Sequence, residues 1–284
     1  MRAVRLAATV ATAAVLLAGA TACGSKGGDT KSAADSTGAT GGKDAAAAAA
    51  GLAADPKAAL AASALVMQKA GNGKVAMTSP DASSPGGSGS ADWKDPGKVS
   101  VDVSSDMDGK KLRIRAIGAD TYIGGDDTTA AALQGKHWVK VPATEEMGSA
   151  FVVMGQMVNP VSQLTIAAAS GKLSKVGQEA VDGVQTTHLR AVEDTATLVA
   201  GMTSLTAEQR QSVQKTLEQD GKTLTIDFWL NDKQELVKYQ EYGDTNGQSK
   251  AVTVKYSDLG KAEKIEAPAA GDLGAQADLL KLFG

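Results

Sequence analysis

One thiol and two imidazoles are all that the sequence offers for soft-ligand or imidazole chemistry: Cys23, His137 and His188. A catalytic or metal-ligating histidine needs partners at a set spacing, as in H-E-x-x-H, and neither histidine has them. Both lie in alternating strand patterns, where a core or surface histidine is the ordinary reading. Gly86-Gly87-Ser88-Gly89-Ser90 misplaces the glycines of a G-x-S-x-G elbow and falls in a low-complexity segment, Pro80 to Gly89, that reads as a loop. Asp106-Met107-Asp108-Gly109 lacks the alternating carboxylates and closing Glu of a calcium loop, and a hairpin turn accounts for it. Glu145-Glu146 and Glu193-Asp194 flank helical patterns, where carboxylates complement the helix dipole. No glycine-rich phosphate cradle follows a strand. The expectation is a protein without enzymatic activity, metal or cofactor.

Cys23 stands apart because it is the only cysteine in the chain, so no intramolecular disulfide can form. Its thiol stays reactive, pairs with another chain or is consumed in a modification. Arg2 and Arg5 open the sequence, and an apolar run from Leu6 to Ala18 follows, too short to span a bilayer. The small residues Ala20-Thr21-Ala22 lead directly to Cys23. This segment resembles a bacterial lipoprotein signal, in which a lipobox sets an aliphatic residue three positions before the cysteine; Ala20 stands where Leu is commoner. The resemblance implies a diacylglyceryl cysteine at position 23, with palmitate-type chains, anchoring the mature protein to the outer, extracytoplasmic face of the cell membrane. At about 0.8 kcal/mol per buried methylene, two chains hold a protein where one is marginal.

Loss of residues 1–22, with Arg2 and Arg5, takes the formal charge from -3 to -5, a mild value. With 21% charged residues and no basic block, no nucleic-acid partner and no polybasic grip on anionic lipid is expected. Residues 24–55 hold almost no bulky apolar side chain and cannot bury enough surface to fold. They read as a tether with a reach of about 30 Å. The expected organisation is a signal over 1–22, an anchored cysteine and tether over 23–55, and one domain over 56–284.

Order is expected from Asp55-Pro56, a cap followed by proline at the first helical position, through a helix that Gly71-Asn72-Gly73 ends. The period then changes to two. Val75 and Met77 begin a strand, and Ala91 and Trp93 belong to the next. Val99, Val101 and Val103 alternate with polar residues, Asp108-Gly109 turns, and Leu112, Ile114 and Ala116 alternate with Arg113 and Arg115. Tyr122-Ile123 and His137 to Val141 add short strands. A one-sided apolar sheet of this kind needs a cover. Thr144 is read as the cap of a helix carrying Met147, Phe151, Met154 and Met157 on one face, and a second helix opens at Asn159-Pro160 with Val161 and Leu164. Strands follow over Leu173 to Ala180 and Val184 to Val192 around Asp182-Gly183. Helical segments then cover Asp194 to Leu205 and Thr206 to Gln219, the latter with a capping box. Leu224 to Leu230, Val237 to Tyr242 and Val252 to Tyr256 return to sheet, and Leu273 to Phe283 forms an amphipathic tail. About nine or ten antiparallel strands are expected.

This order of elements, with Trp138-Val139-Lys140, Asn159-Pro160-Val161, Glu179-Ala180-Val181-Asp182-Gly183 to His188, Phe228-Trp229-Leu230 and Val254-Lys255-Tyr256-Ser257-Asp258-Leu259-Gly260, resembles actinobacterial LppX/LprG-type lipoproteins. The resemblance implies an α+β fold in which a strongly curved antiparallel sheet, a half-barrel, wraps around helices as in the LolA/LolB carriers, with an apolar cavity between the layers. It implies binding and transfer of an acylated lipid or other amphiphile in the cell envelope. Methionine adapts to irregular partners, so Met147, Met154, Met157 and Met202 are the leading candidates for the lining. Phe151, Val153, Leu164, Ile166 and Leu198 join them from the helices, and Val101, Val103, Leu112 and Ile114 from the sheet. Ordinary core packing is the competing reading for each. The rival function is a solid-cored lipoprotein that binds an envelope transporter or another envelope protein, or partners a sensor. A hydrolase would need paired titratable groups in a pocket, and the motifs give it little support.

Overall fold

The computed structural model describes residues 55–80, 86–95, 97–107, 110–202 and 205–282. The signal, Cys23, the tether before Asp55, the Asp108-Gly109 turn and Phe283 lie outside the described residues.

Helix α1 (Pro56–Ala70) forms where its ends are specified locally. Asp55 Oδ1 accepts hydrogen bonds from the backbone N–H groups of Lys57 and Ala58 at 3.0 and 3.3 Å. At the other end Gly71 takes φ of 72° and its N–H closes on the Met67 carbonyl. The buried face carries Ala59, Leu60, Ser63, Ala64 and Met67.

The chain then builds β1 (Asn72–Thr78), β2 (Gly86–Asp92), β3 (Ser100–Met107), β4 (Lys110–Ile117) and β5 (Asp120–Gly124), followed by α2 (Asp127–Ala132) and β6 (Trp138–Pro142). Helices α3 (Glu146–Met157) and α4 (Pro160–Ser170) come next, then β7 (Lys172–Val181), β8 (Val184–Asp194), α5 (Thr195–Gly201) and α6 (Ala207–Leu217). Strands β9 (Thr223–Leu230), β10 (Leu236–Gly243), β11 (Val252–Ser257) and the two-residue β12 (Leu273–Gly274) complete the order. All twelve strands form one open sheet in the order β12-β6-β5-β4-β3-β2-β1-β11-β10-β9-β8-β7. The pairing is antiparallel except where β12 joins β6 in parallel. The fold is therefore the α+β arrangement expected from the sequence.

Helices α1 and α4 pack on each other across one face of the sheet. Period-two alternation puts Val101, Val103, Ile114, Leu189, Ile226, Phe228, Tyr239 and Val254 on that inner face, all buried in one cluster with Leu60, Met67 and Leu164. Trp93 is fully buried, donates its indole N–H to the Met67 carbonyl at 2.7 Å and meets Tyr256 edge-on at 6.0 Å, tying the end of α1 to the sheet.

Several elements differ from the sequence expectation. The Gly/Ser-rich stretch read as loop through Gly89 is strand from Gly86 onward, and Trp93 falls just after it. Pairing with β1 and β3 on both sides imposes the strand on residues of low β-propensity. At Gly89 a Cβ would stand 2.0 Å from the Asp102 carbonyl oxygen, so this close approach of backbones requires glycine. Helix α2, not anticipated, is nucleated by Asp126, which accepts from the Thr128 and Thr129 amides. Helix α3 is preceded by Glu145, which makes no side-chain cap bond, and Thr144 is not its cap. The tail adds β12 to the sheet and then a 3-10 helix, Gln276–Leu282, that buries Leu279 and Leu282 against Leu112, Ile123, Leu133, Val139 and Val141. The sheet has twelve strands where about nine or ten were expected, and the two-residue β12 among them carries no periodic signal.

Candidate functional site

The helices over the inner face place the candidate lining residues in three apolar clusters. Val101, Val103, Ile114 and Leu164 belong to the main core, with Phe151 and Met154 packed against it. Val153, Met157, Ile166, Leu198 and Met202 meet in a second cluster that α5 and α6 complete through Val199, Leu205, Val213 and Leu217. Leu112 belongs to the third, against which Met147 and Phe151 pack. Helix α3 thus contributes side chains to all three clusters.

Its seating is uneven. Val153 and Met157 are buried, whereas Met147, Phe151 and Met154 are only half-buried. Gly155 is buried, yet a Cβ there would meet no atom of the described residues within 4 Å. Close packing normally leaves no such slack. The layer at α3 therefore combines apolar chemistry with room for small displacements. Elsewhere the candidates are tightly enclosed: Val101 and Met202 are 1% exposed and Leu164 is 0%.

A polar residue that sequence reasoning placed elsewhere sits beneath this layer. Asp194 caps α5, accepting from the Thr197 amide at 3.0 Å, but Glu193 plays no part in the helix start. It shares the inward parity of Leu189 and Ala191 and is 2% exposed. Burial pushes its carboxyl up to about 7, against a lowering hydrogen bond from Ser170, with the charge of Glu241 adding to the rise. Ser170 Oγ donates to Glu193 Oε2 at 3.2 Å, and Glu193 Oε1 has no hydrogen-bond partner among the described residues. The period-two face of β8 was the signal that could have found it.

The outer face of the sheet holds further charged groups, and these are paired. His188 stacks on Trp229 with centroids 4.2 Å apart, and its Nδ1 lies 3.0 Å from Glu179 Oε1. Its Nε2 lies 3.0 Å from Asp227 Oδ1 but off the line a hydrogen bond needs. Arg190 grips the buried Asp227 with two bonds of 2.7 and 2.9 Å. Burial pushes the Asp227 carboxyl up, but the neighbouring His188 imidazole and the paired Arg190 guanidinium together outweigh it and hold the carboxyl below its ordinary range. Lys238 Nζ lies 3.8 Å from the centre of the Trp229 ring. His137 bonds Asp272 at 2.8 Å and approaches Asp127 at 3.3 Å, which raises its pKa and ties the C-terminal segment to β6. Asp102 likewise bridges Arg113 and Arg115, whose guanidinium groups lie over Trp138. A cleft of about 220 Å³ here is walled by Lys74, Asp102, Arg113, Arg115, Glu263 and Lys264, a polar lining unsuited to alkyl chains. These arrangements join neighbouring elements of the sheet. Among the described residues no group of three or more His, Cys, Asp or Glu is arranged to hold a metal ion, and no helix is long and apolar enough to cross a membrane.

No known family profile matches the chain. An uncharacterized 31.2 kDa protein from the rplA-rplJ intergenic region of Streptomyces griseus is 36% identical over 170 residues, 57% of this chain and 56% of that protein. The chain thus matches a little over half of that relative's length. Among solved structures, LprF from Mycobacterium bovis superposes with a TM-score of 0.51 at 15% identity, covering 76% of this chain and 98% of LprF. The Mycobacterium tuberculosis lipoprotein LppX gives a TM-score of 0.46 at 14% identity, covering 75% of this chain and all of LppX. The open sheet folded over helices is the fold seen in LprF, the LppX/LprG type that the sequence resembles.

Proposed function

We propose that the protein is a lipoprotein anchored at Cys23 to the extracytoplasmic face of the membrane, which binds an acylated lipid or other amphiphile without covalent chemistry and can transfer it. The observation that carries this reading is the combination, on α3, of a half-buried Met147, Phe151 and Met154 stripe with unfilled space at the buried Gly155. Alkyl chains entering between α3, α4 and the sheet would gain roughly 0.8 kcal/mol for each methylene removed from water. Methionine side chains can re-pack around them at little cost. The thirteen lining candidates are the residues proposed to meet the chains, and the tether of residues 24–55 would keep the domain close to a donor bilayer.

A substitution at Gly155 tests the site. Phenylalanine there would occupy the slack that an acyl chain needs. Gly155→Phe is expected to lower uptake of a fluorescent fatty-acyl probe at least tenfold while the circular dichroism spectrum and the unfolding midpoint stay close to those of the parent. Unchanged uptake in a folded variant would remove α3 from the site.

The tight enclosure of Val101, Leu164 and Met202 favours a second reading, a solid-cored module that binds an envelope transporter or other envelope protein. It predicts no acyl-probe uptake by the parent protein.

A further inference from the structure

Glu193 is the least expected residue on the inner face. It lies opposite Leu224 in the β8–β9 pairing, where Ala191 lies opposite Ile226. Leu224 belongs to the second apolar cluster, and Ala191 and Ile226 to the main one, so the carboxyl sits at the seam between the two. Ser170 reaches it from the last turn of α4, one turn beyond Ile166. Glu241 lies on the same inner face of β10, with the Tyr239 hydroxyl donating to its Oε2 at 2.9 Å.

A buried carboxyl oxygen without a partner is costly, and native proteins seldom keep one unless a ligand, an ion or a water meets it. An alkyl chain cannot, whereas the head of an amphiphile can. Because burial brings this carboxyl to about 7, both its protonated and ionised forms are populated near neutrality. A hydroxyl suits both, since it accepts from the acid and donates to the carboxylate. Resting on the amphiphile-binding reading above, we infer that Glu193, with Ser170 beside it, is a polar subsite at the floor of the apolar layer that takes a hydroxyl of the ligand's headgroup. The class of ligand is therefore a hydroxylated acyl lipid, such as an acylated polyol, with the polar end inward and the chains running out under α3.

Two esters with the same acyl chain, monomyristoylglycerol and methyl myristate, isolate the hydroxyls. Each is delivered from cyclodextrin to the full chain carrying Cys23→Ala, and affinity is read by displacement of a fluorescent acyl probe. The parent is expected to prefer the glycerol ester by at least tenfold. Glu193→Leu should reduce that preference to less than threefold while keeping methyl myristate binding, and Glu193→Gln, which retains hydrogen-bonding capacity, should keep most of it. Equal binding of the two esters by the parent, or a preference that survives in Glu193→Leu, overturns the subsite alone and leaves a buried water as the partner of Glu193. Failure of the parent to bind either ester overturns the amphiphile reading and the subsite with it.

Discussion

Glu193 should leave a mark on the stability of the protein as well as on its ligand. Its carboxyl is raised from 4.5 to about 7 by burial, so the folded state holds the proton more tightly than the unfolded chain does. That contribution is fully present below 4.5 and is lost as the pH rises through about 7, a change on the order of 3 kcal/mol. Asp227 works in the opposite sense: its lowered value gives stability present above 3.8 and lost only as the pH falls through the folded value, outside this window. His137, raised by Asp272 and Asp127, contributes in the same direction as Glu193. The difference between parent and variant therefore isolates Glu193. Urea unfolding at pH 5 and pH 8 should show the parent losing stability relative to Glu193→Gln across that interval. A variant with the same pH slope as the parent would show that the Glu193 proton is not linked to folding. The sequence did not reveal this residue because Glu193 precedes Asp194, and a pair of carboxylates before a helix reads as dipole compensation. Only the parity of Leu189, Ala191 and Glu193 along β8 separates the cap from the buried group.

At the level of elements, what was legible depended on how local the determinants are. Asp55-Pro56 and Gly71 define α1 within the reach of one or two residues, and the structure has both caps. The Thr206 capping box closes on Gln209 in both directions, and Asp182-Gly183 turns with φ of 49° and 83°, as a tight hairpin requires. Asp55→Ala is accordingly expected to cost about 1 kcal/mol, within the usual range for loss of a helix cap. Chemical denaturation would detect this as a lower midpoint at constant slope, and a midpoint that does not move would mean that α1 contributes nothing to the cooperative unit. The elements that were not legible are set by their neighbours. Strand β2 is glycine and serine for most of its length, and its extended form is dictated by β1 and β3. The α3 start carries two adjacent glutamates after a threonine, and local pattern alone could not choose between Thr144 and Glu145. The apolar stripe of α3 was readable from the spacing of Met147, Phe151, Met154 and Met157, but the slack at Gly155 was not. Such a gap is a property of packing, which no single stretch encodes.

Across the whole molecule, the proposed function joins a sheet-and-helix domain to a lipid anchor through residues 24–55. The anchor rests on one sulfur. Cys23→Ala is expected to move the protein from the membrane pellet to the soluble extracytoplasmic fraction with its fold intact, as judged by the unfolding midpoint of the released domain. Retention in the pellet would place the membrane attachment elsewhere in the chain. The fold itself does not decide function, since the same scaffold can serve different sites. What distinguishes a carrier from a solid interaction module here is whether the layer under α3 opens for alkyl chains. The most direct measurement is mass spectrometry, native and after organic extraction, of the full chain carrying Cys23→Ala after exposure to lipids from its own source. The account predicts one hydroxylated acyl lipid per protein that survives buffer exchange. A folded protein that carries no lipid under those conditions would contradict it and turn the search to protein partners.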